Sequence, residues 1–272
     1  MRILITAATA AELLPAREVW EVIRNQTDNR LSIECVETGI GATATAYHTL
    51  KALLPPSKKT LSSPFEKASS PPFEKAPSPP FEKASSPPFE KALSPPFDVA
   101  VNMGIAGSFC NALPIGAVVR ITSECFGDLG VQTAAGFQSL FDAKLLDADR
   151  FPFKSGKLAP PPLSPEWESA LASVPVADGV TVQRLVERNG AALHPDPFTV
   201  AERINRENLE IETMEGAAFF YVCMSEHIPC FSLRAVSNVA GEQDKTKWNI
   251  PLALGNLLQT FRKCLEARLI EN

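Results

Sequence analysis

LEIETMEGAAFFYVCMSEHIPCFSLRAVSN, residues 209–238, decides the fold, because it predicts a strand, a helix and a second strand in direct succession. Residues 209–213 are short and extended, residues 214–226 are apolar on nearly every side, and residues 230–236 form another apolar run. This pattern is typical of a buried βαβ unit, whose parallel strands are covered on both faces. A polar residue inside such a unit is therefore a candidate for function.

Three polar residues remain in this segment: Glu215, Arg234 and Asn238. We expect Glu215 in the first helical turn, and Arg234 and Asn238 toward the carboxyl end of the second strand and just past it. Ligands bind at that rim of an open α/β sheet. A carboxylate at a helix start is favoured by the helix dipole in any protein, but a buried guanidinium must be paired. Together the three residues predict one wall of a pocket.

The length and composition are those of a globular protein with a full core. The chain has 272 residues, 45% of them hydrophobic, and a formal net charge of -5, so it has no basic surface for nucleic acid. Its apolar runs are too short to span a membrane. The first residues, MRILITAATAAE, predict a strand rather than a signal peptide. Six cysteines without a CxxC pair or a Cys/His cluster predict reduced thiols, a cytoplasmic location and no metal site.

Strands and helices alternate along the rest of the chain. We predict further strands at 2–6, 31–38, 98–103, 117–123 and 181–187, and further helices at 10–24, from the turn at 39–41 to 54, and at 165–173, 199–208 and 252–270. The alternation predicts one α/β domain over residues 1–272, with three α/β/α layers and a mostly parallel mixed sheet. The Gly-rich turn in TGIGATATAYHTL lacks the GxGxxG and GxxxxGK[ST] patterns, so we predict no nucleotide cofactor.

A proline-rich repeat interrupts this pattern at residues 55–96. FEKA recurs every eight residues from Phe65, and the fifth copy, FDVA at Phe97, opens the next apolar strand. The repeat therefore resembles a tandem duplication of the connection SPPFDVA. Because such proline density forbids regular helix and strand, we expect a disordered, polyproline-like insertion. A PxxP-type partner ligand is the alternative interpretation.

The strand at 98–103 is followed by GIAG, residues 104–107. Small residues there would let backbone amides approach a substrate. A tight turn is the alternative.

The chain resembles the purine nucleoside phosphorylase and nucleosidase superfamily in its methylthioadenosine nucleosidase-like branch. The resemblance rests on the residues quoted so far and on the segments MRILITAATAAE, NMGIAGSF, ETMEGAAFFYVC, LRAVSNVAG and KTKWNIPLALGNL. The resemblance covers the chain outside the proline repeat.

Within that branch, MEGAAF, RAVSN, GDLGVQ and Trp248 are most similar to the futalosine hydrolases of menaquinone biosynthesis. The resemblance implies hydrolysis of the N-ribosidic bond of a purine nucleoside, no cofactor and a homo-oligomer. Glu12 matches the water-activating base, although by itself it is only an acid near a helix start. Glu215, preceded by Met214, matches the residue that binds the ribose hydroxyls, and Arg234 matches a residue that positions the water. The backbone wall beside sugar and base is matched by Ile105, Ala106 and Gly107.

Asn238 departs from the pattern, because the methylthioadenosine enzymes carry Asp there to protonate adenine. An amide donates one hydrogen bond and accepts another but supplies no titrating proton. It therefore suits a 6-oxopurine such as hypoxanthine. The first-strand loop TAATAAE has no cation for phosphate, which favours hydrolysis over phosphorolysis. The alternatives are a methylthioadenosine/adenosylhomocysteine nucleosidase and a non-catalytic nucleoside-binding relative.

Overall fold

A computed structural model of the chain describes residues 1–24, 31–54, 96–133, 136–184, 208–242 and 244–270. The strands are β1 (Arg2–Ala7), β2 (Ser32–Glu37), β3 (Val99–Ser108), β4 (Val118–Phe126), β5 (Gly130–Thr133), β6 (Gly136–Ser139), β7 (Val176–Thr181), β8 (Ile211–Thr213) and β9 (Cys230–Val239). The helices are α1 (Ala10–Ile23), α2 (Ala42–Leu53), α3 (Pro165–Leu171), α4 (Gly216–Ser225) and α5 (Ile250–Ile270).

Seven of the described strands form one mixed sheet in the order β2-β1-β3-β8-β7-β4-β9, and β9 also pairs with β3. Five strands, β3, β8, β7, β4 and β9, therefore close into a ring, from which β1 and β2 extend. Most pairs are parallel, whereas β4 with β9 and β3 with β8 are antiparallel. The predicted α/β fold with a mostly parallel mixed sheet is confirmed.

Helices cover both faces of this sheet. Side chains alternate between the two faces along each strand, so one strand contributes to the apolar clusters on both sides. In β1, Ile3 and Ile5 pack in the cluster that contains α1, α3 and α5, whereas Leu4 packs in the cluster that contains α2 and α4. Phe219 and Phe220 of α4 are fully buried. Each such side chain contributes roughly 1.5–3 kcal/mol to folding. The three predicted layers are thus present.

The predicted parallel βαβ unit is wrong in its strand direction. β8 is parallel to β7 but antiparallel to β3, and β9 is parallel to β3, so β8 and β9 run in opposite directions and do not pair. A strand buried on both faces has the same apolar run in either direction, so the sequence pattern does not contain its orientation. The strands and the helix between them were nevertheless predicted in the right order.

Several predicted boundaries change. β3 continues to Ser108, so GIAG lies inside a strand and the tight-turn alternative is excluded. The strand predicted at 181–187 ends at Thr181, and the stretch after β4 contains the unpredicted hairpin of β5 and β6. Residues 55–95 of the repeat, 185–187 of the predicted strand 181–187 and 199–207 of the predicted helix 199–208 lie outside the described residues. Among the described helices, none combines the length and hydropathy that a bilayer span requires.

Candidate active site

A gap in the strand pairing of β3 creates the candidate site. β3 pairs with β1 as far as Asn102 and with β8 from Gly107, so residues 103–106 pair with neither of these strands. The backbone N–H of Ile105 in this gap donates instead to Oε1 of Glu12 at 3.0 Å. A glycine-rich strand interior suits a position where another group must approach the backbone. The GIAG segment is that position.

Glu12 is held rigidly at the start of α1. Its Oε2 accepts hydrogen bonds from the backbone N–H of Thr9 at 3.1 Å and from the Thr9 hydroxyl at 2.8 Å, which completes a capping box. Its Oε1 accepts the Ile105 amide. The side chain is 6% exposed. The local sequence therefore fixes this carboxylate in one orientation, facing β3.

Arg234 is the centre of the charged cluster, and it is fully buried. Its Nη2 donates to Oδ1 of Asn102, and its Nη1 lies 3.7 Å from Oε2 of Glu215. Gly104, opposite Arg234 in the sheet, leaves room for these groups. A Cβ built there would lie 2.7 Å from Oε1 of Glu12 and closer still to Nη1 of Arg234. Among the described residues, Nη1 makes no hydrogen bond.

Glu215 occupies the N-cap position of α4, one residue before the first helical turn in which it was predicted. Its carboxylate does not cap the helix. Instead, Oε1 accepts the backbone N–H of Gly41 at 3.1 Å. Burial raises the pKa of Glu215, the Arg234 guanidinium and the Gly41 amide oppose the rise, and the charge of Glu12 adds to it. The two carboxylates predicted for the site are thus brought to one cluster around Arg234.

Asn238 lies at the far end of the gap, beside a β-bulge. Ala106 pairs with Val236, whereas Gly107 pairs with Asn238, so Ser237 is the extra residue. Bulges redirect side chains next to active sites. The Asn238 amide accepts from the Ser237 hydroxyl at 2.7 Å and donates to the carbonyl of Val239 at 2.9 Å. These contacts use one N–H and one lone pair of the four hydrogen bonds that an amide can make.

The remaining predicted residues border the same gap. Ile105 is partly buried and Ala106 is 4% exposed. A Cβ on Gly107 would lie 3.2 Å from Nδ2 of Asn238, so this glycine leaves room for the amide. Met214 is partly exposed and directly precedes Glu215. Ile105 binds Glu12, and Gly107, two residues further along β3, lies beside Asn238.

Two buried polar residues of the cluster were not predicted. Asn102 positions Arg234 and donates to the Thr6 hydroxyl at 3.0 Å. Glu124 of β4 is fully buried. Burial raises its pKa, while the Arg234 charge and hydrogen bonds from Thr213 and Thr181 oppose the rise. The sequence signal was weak, because Glu124 lies in the segment ITSECF, where the polar residues Thr122 and Ser123 precede it.

Three buried carboxylates thus surround one guanidinium. Burial favours the neutral form of Glu124 and of Glu215. The charge of Glu215 raises the pKa of Glu124 further, and the charge of Glu12 raises the pKa of Glu215. Such a cluster can accept a proton at one carboxylate while another keeps its negative charge. The arrangement suits chemistry in which water is deprotonated beside a developing positive charge.

A family model described as Phosphorylase superfamily matches residues 96–267. The futalosine hydrolase of Thermus thermophilus is 30% identical over 169 residues, which cover 61% of this chain and 68% of that protein. The futalosine hydrolase of Streptomyces coelicolor is 29% identical over 167 residues, which cover 61% of this chain and 64% of that protein, just under two thirds of its length.

Solved structures share the whole fold. The native futalosine hydrolase of Helicobacter pylori superposes with a TM-score of 0.63 at 14% identity, covering 100% of this chain and 98% of that one. A 5′-methylthioadenosine/S-adenosylhomocysteine nucleosidase of the same species gives a TM-score of 0.62 at 13% identity, covering 100% and 99%. At these identities the likeness establishes the fold, and it does not separate the two activities.

Proposed function

Because this chain belongs to the phosphorylase superfamily, we propose that it is a nucleosidase that hydrolyses the N-ribosidic bond of futalosine, a reaction of menaquinone biosynthesis. The products are hypoxanthine and dehypoxanthine futalosine. The observation that carries the proposal is the cluster of Glu12, Glu215 and Arg234 at the pairing gap of β3. The two futalosine hydrolases that align with the chain support the choice of substrate.

In this proposal Glu12 activates the attacking water. Three hydrogen bonds, from Thr9 and Ile105, hold its carboxylate still. A general base must come within roughly 2.6–3.2 Å of the water that it deprotonates. Nη1 of Arg234 makes no hydrogen bond among the described residues. Its N–H is therefore the donor that orients this water. Oε1 of Glu12 and Nη1 of Arg234 both lie against Gly104, so the two groups are close enough to contact the same water beside them.

Glu215 binds the ribose. A carboxylate accepts the hydrogen bonds of two neighbouring hydroxyl groups. Its negative charge also stabilises the positive charge that develops on the sugar as the N-ribosidic bond breaks. The salt bridge to Arg234 and the Gly41 amide hold the carboxylate in place and favour its ionised form against burial. Met214 and the backbone of residues 105–107 form the wall beside sugar and base.

Asn238 recognises the leaving group. The N–H that does not bind Val239 can donate to the carbonyl oxygen of a 6-oxopurine, and the lone pair that does not bind Ser237 can accept a base N–H. Adenine presents an amino group where hypoxanthine presents its carbonyl oxygen. A buried amide left unpaired against the wrong edge disfavours that substrate. The residue thus supports hypoxanthine as the released base.

Hydrolysis fits this site better than phosphorolysis. The turn between β1 and α1 consists of Ala8 and Thr9, and the carboxylate of Glu12 follows it directly. Phosphate binding requires cations or several available amides. Arg234 is the cation of the cluster, and it already contacts Asn102 and Glu215. A neutral water therefore suits the position beside Glu12, whereas a phosphate would meet a fixed negative charge.

We further propose that the protein is a cytoplasmic homo-oligomer. No disulfide joins cysteines of the described part of the chain, which suits a reducing compartment. Ile40, which directly precedes Gly41, and Tyr47 in the middle of α2 are 64% and 60% exposed, and Gly41 binds Glu215. A second copy packed there would close the site. Sedimentation velocity tests this: Tyr47→Glu should shift the dimer toward monomer, and an unchanged sedimentation coefficient would contradict the interface.

Product analysis tests the activity. Purified protein is incubated with futalosine, inosine and methylthioadenosine, with and without inorganic phosphate, and the released bases are separated by chromatography. We expect hypoxanthine from futalosine at a rate that does not depend on phosphate. Faster adenine release from methylthioadenosine would establish the alternative nucleosidase. Binding without turnover of any of these nucleosides would establish a non-catalytic relative.

A further inference from the structure

We propose that Glu124 is a positioning residue, which holds the first turn of α4 through Thr181 and Thr213 and thereby leaves the Glu215 carboxylate to the substrate. This inference rests on the proposed function, because it assigns ribose binding to Glu215. Glu124 lies on β4, Thr181 ends β7 and Thr213 ends β8. Three neighbouring strands of the ring thus each send one polar side chain to the beginning of the same helix.

Five hydrogen bonds form this network, and the two helix amides and the carboxylate set the direction of four of them. The fifth joins the hydroxyls of Thr181 and Thr213 at 3.2 Å, and either hydroxyl can be its donor. The Thr181 hydroxyl accepts the N–H of Ala217 at 2.8 Å and donates to Oε1 of Glu124 at 2.7 Å. The Thr213 hydroxyl accepts the N–H of Gly216 at 3.3 Å and donates to the same Oε1. A hydroxyl has one proton, so whenever both protons are donated to Glu124 the contact between the two hydroxyls carries none. The network therefore runs from the helix amides through the hydroxyls to the carboxylate.

This arrangement replaces the usual N-cap. The first amides of a helix lack partners within the helix, and the side chain of the N-cap residue normally accepts one of them. Glu215 is the N-cap residue of α4, but its side chain makes no capping hydrogen bond. Its carboxylate instead contacts Gly41 and Arg234. Because Thr181 and Thr213 bind the first two amides of the helix, Glu215 can turn toward the site.

Gly216 fits the same explanation. A Cβ at this residue would collide with Oε2 of Glu124. Glu124 can therefore reach the hydroxyls of Thr181 and Thr213 only because residue 216 has no side chain. The buried carboxylate of Glu124 and the glycine of the MEGAA motif therefore belong to the same structural arrangement. Oε2 of Glu124 makes no hydrogen bond among the described residues, so Oε1 is the oxygen that does the positioning.

Isosteric variants test the network. Thr181→Val and Thr213→Val remove a hydroxyl without changing volume, whereas Thr181→Ser and Thr213→Ser keep it. Thr122→Val is the matched control, because Thr122 lies on β4 but binds Asp178 instead of the network. The measurements are hydrogen exchange at the start of α4, kcat and KM for futalosine, and the affinities for inosine and for free hypoxanthine.

We expect each Val variant to lose exchange protection at Gly216 and Ala217, and to lower kcat/KM by about tenfold or more, mainly through KM. Affinity for inosine should fall, whereas affinity for hypoxanthine, which has no ribose, should change less than about twofold. The Ser variants and Thr122→Val should behave like the unaltered chain. If Thr213→Val does not fold, Thr181→Val and Thr181→Ser decide the outcome.

Two results would overturn the proposal. One is unchanged exchange at Gly216 and Ala217 in the Val variants. The other is lost protection with an unchanged KM and unchanged inosine affinity, because the hydroxyls would then only stabilise the helix. Failure of the unaltered chain to hydrolyse futalosine would refute the proposed function instead, and the exchange measurement would still decide whether the network holds α4.

Discussion

Oε1 of Glu12 accepts the backbone N–H of Ile105 at 3.0 Å, so the carboxylate that follows β1 is fixed to the part of β3 that pairs with neither β1 nor β8. The same part of β3 carries Gly104, above which Arg234 approaches Glu12. The contact explains why the MRILITAATAAE and NMGIAGSF segments, which are distant in the chain, belong to one site. It also makes the role of Glu12 testable.

Glu12→Gln should lower kcat by about 10²–10⁴-fold, because an amide cannot accept the proton of the attacking water. The variant keeps the size of the side chain, so the dissociation constant for futalosine, measured by calorimetry in the absence of turnover, should change little. Glu18→Gln, an exposed change on the same helix, is the control and should have full activity. Full activity of Glu12→Gln would remove Glu12 from its role.

Arg234→Met should destabilise the protein by about 3–5 kcal/mol, because it leaves the buried carboxylates of Glu215 and Glu124 without their cation. Loss of the guanidinium raises the pKa values of both acids further, since its charge opposes the rise that burial causes. The loss should therefore be larger at pH 8 than at pH 5. Urea unfolding at both pH values measures it. Arg120→Met, which breaks a partly exposed pair with Glu168, should cost less than about 1 kcal/mol.

How far the sequence predicts this molecule depends on which kind of information each feature requires. Apolar periodicity identified α1, α2, α4 and α5, because each buries a face, and a lone Arg234 in an apolar run indicated the site. The direction of β8 could not be predicted from the sequence, since the apolar pattern of a buried strand is the same for parallel and antiparallel pairing. The ring closes because β3 pairs with the distant strands β8 and β9. A local sequence pattern does not predict such long-range pairing.

The same limit explains the site residues that were missed. Glu12, Glu215 and Arg234 were predicted through their motifs, and the structure brings them together. Asn102 begins the NMGIAGSF segment but was not identified as a site residue, and Glu124 belongs to no quoted motif. The importance of both follows from burial beside Arg234. From sequence alone, a carboxylate in a strand can be a solvent-exposed surface residue or a buried residue of the site. For Glu124, only the packing of β4 against α4 decides between these two positions.

Glu212 makes the stability depend on pH. Burial raises its pKa from 4.5 to about 7, the Gly241 amide opposes the rise, and the charge of Asp128 adds to it. The folded state therefore keeps the proton of Glu212 at pH values where the unfolded state has lost it. This contribution to the free energy of unfolding is fully present below about 4.5 and is lost as the pH rises to about 7.

Glu212→Gln should abolish this dependence, because Gln stays neutral and can still accept the Gly241 amide. Relative to the unaltered chain, the variant should gain up to about 3 kcal/mol between pH 5 and pH 8. Urea unfolding at the two pH values measures the gain, and Glu18→Gln is again the exposed control. An equal difference from the unaltered chain at both pH values would show that Glu212 does not titrate in this range.

Asn238→Asp should shift the preference for the released base from hypoxanthine toward adenine. The Ser237 hydroxyl can donate to the new side chain as before, but its second oxygen would face the carbonyl of Val239. That contact favours the protonated acid, whose single proton must turn from the Val239 carbonyl to a purine nitrogen when the base binds. The ratio of adenine release from methylthioadenosine to hypoxanthine release from futalosine should rise by about tenfold or more. Asn256→Asp, a remote change on α5, should leave the ratio unaltered.

Removal of residues 65–96, four complete eight-residue units, should leave both activity and stability nearly unchanged. The deletion joins Pro64 to Phe97 and keeps one copy of the connection. Leu53 at the end of α2 and Phe97 before β3 are buried in the same cluster, so the flanking elements meet there without help from the repeat. Since a longer connection changes loop-closure free energy only slowly, the free energy of unfolding should change by less than about 1 kcal/mol.

The control is Phe97→Ala in the shortened chain. Phe97 is 7% exposed, and truncation of a buried phenylalanine costs about 3–5 kcal/mol. The variant should therefore unfold at a lower urea concentration than the shortened chain. The shortened chain is used because the full chain has four earlier phenylalanines in the same repeat context. Loss of futalosine hydrolysis on deletion alone would show that the repeat contributes to the site, and the insertion would then have to be regarded as part of the functional domain.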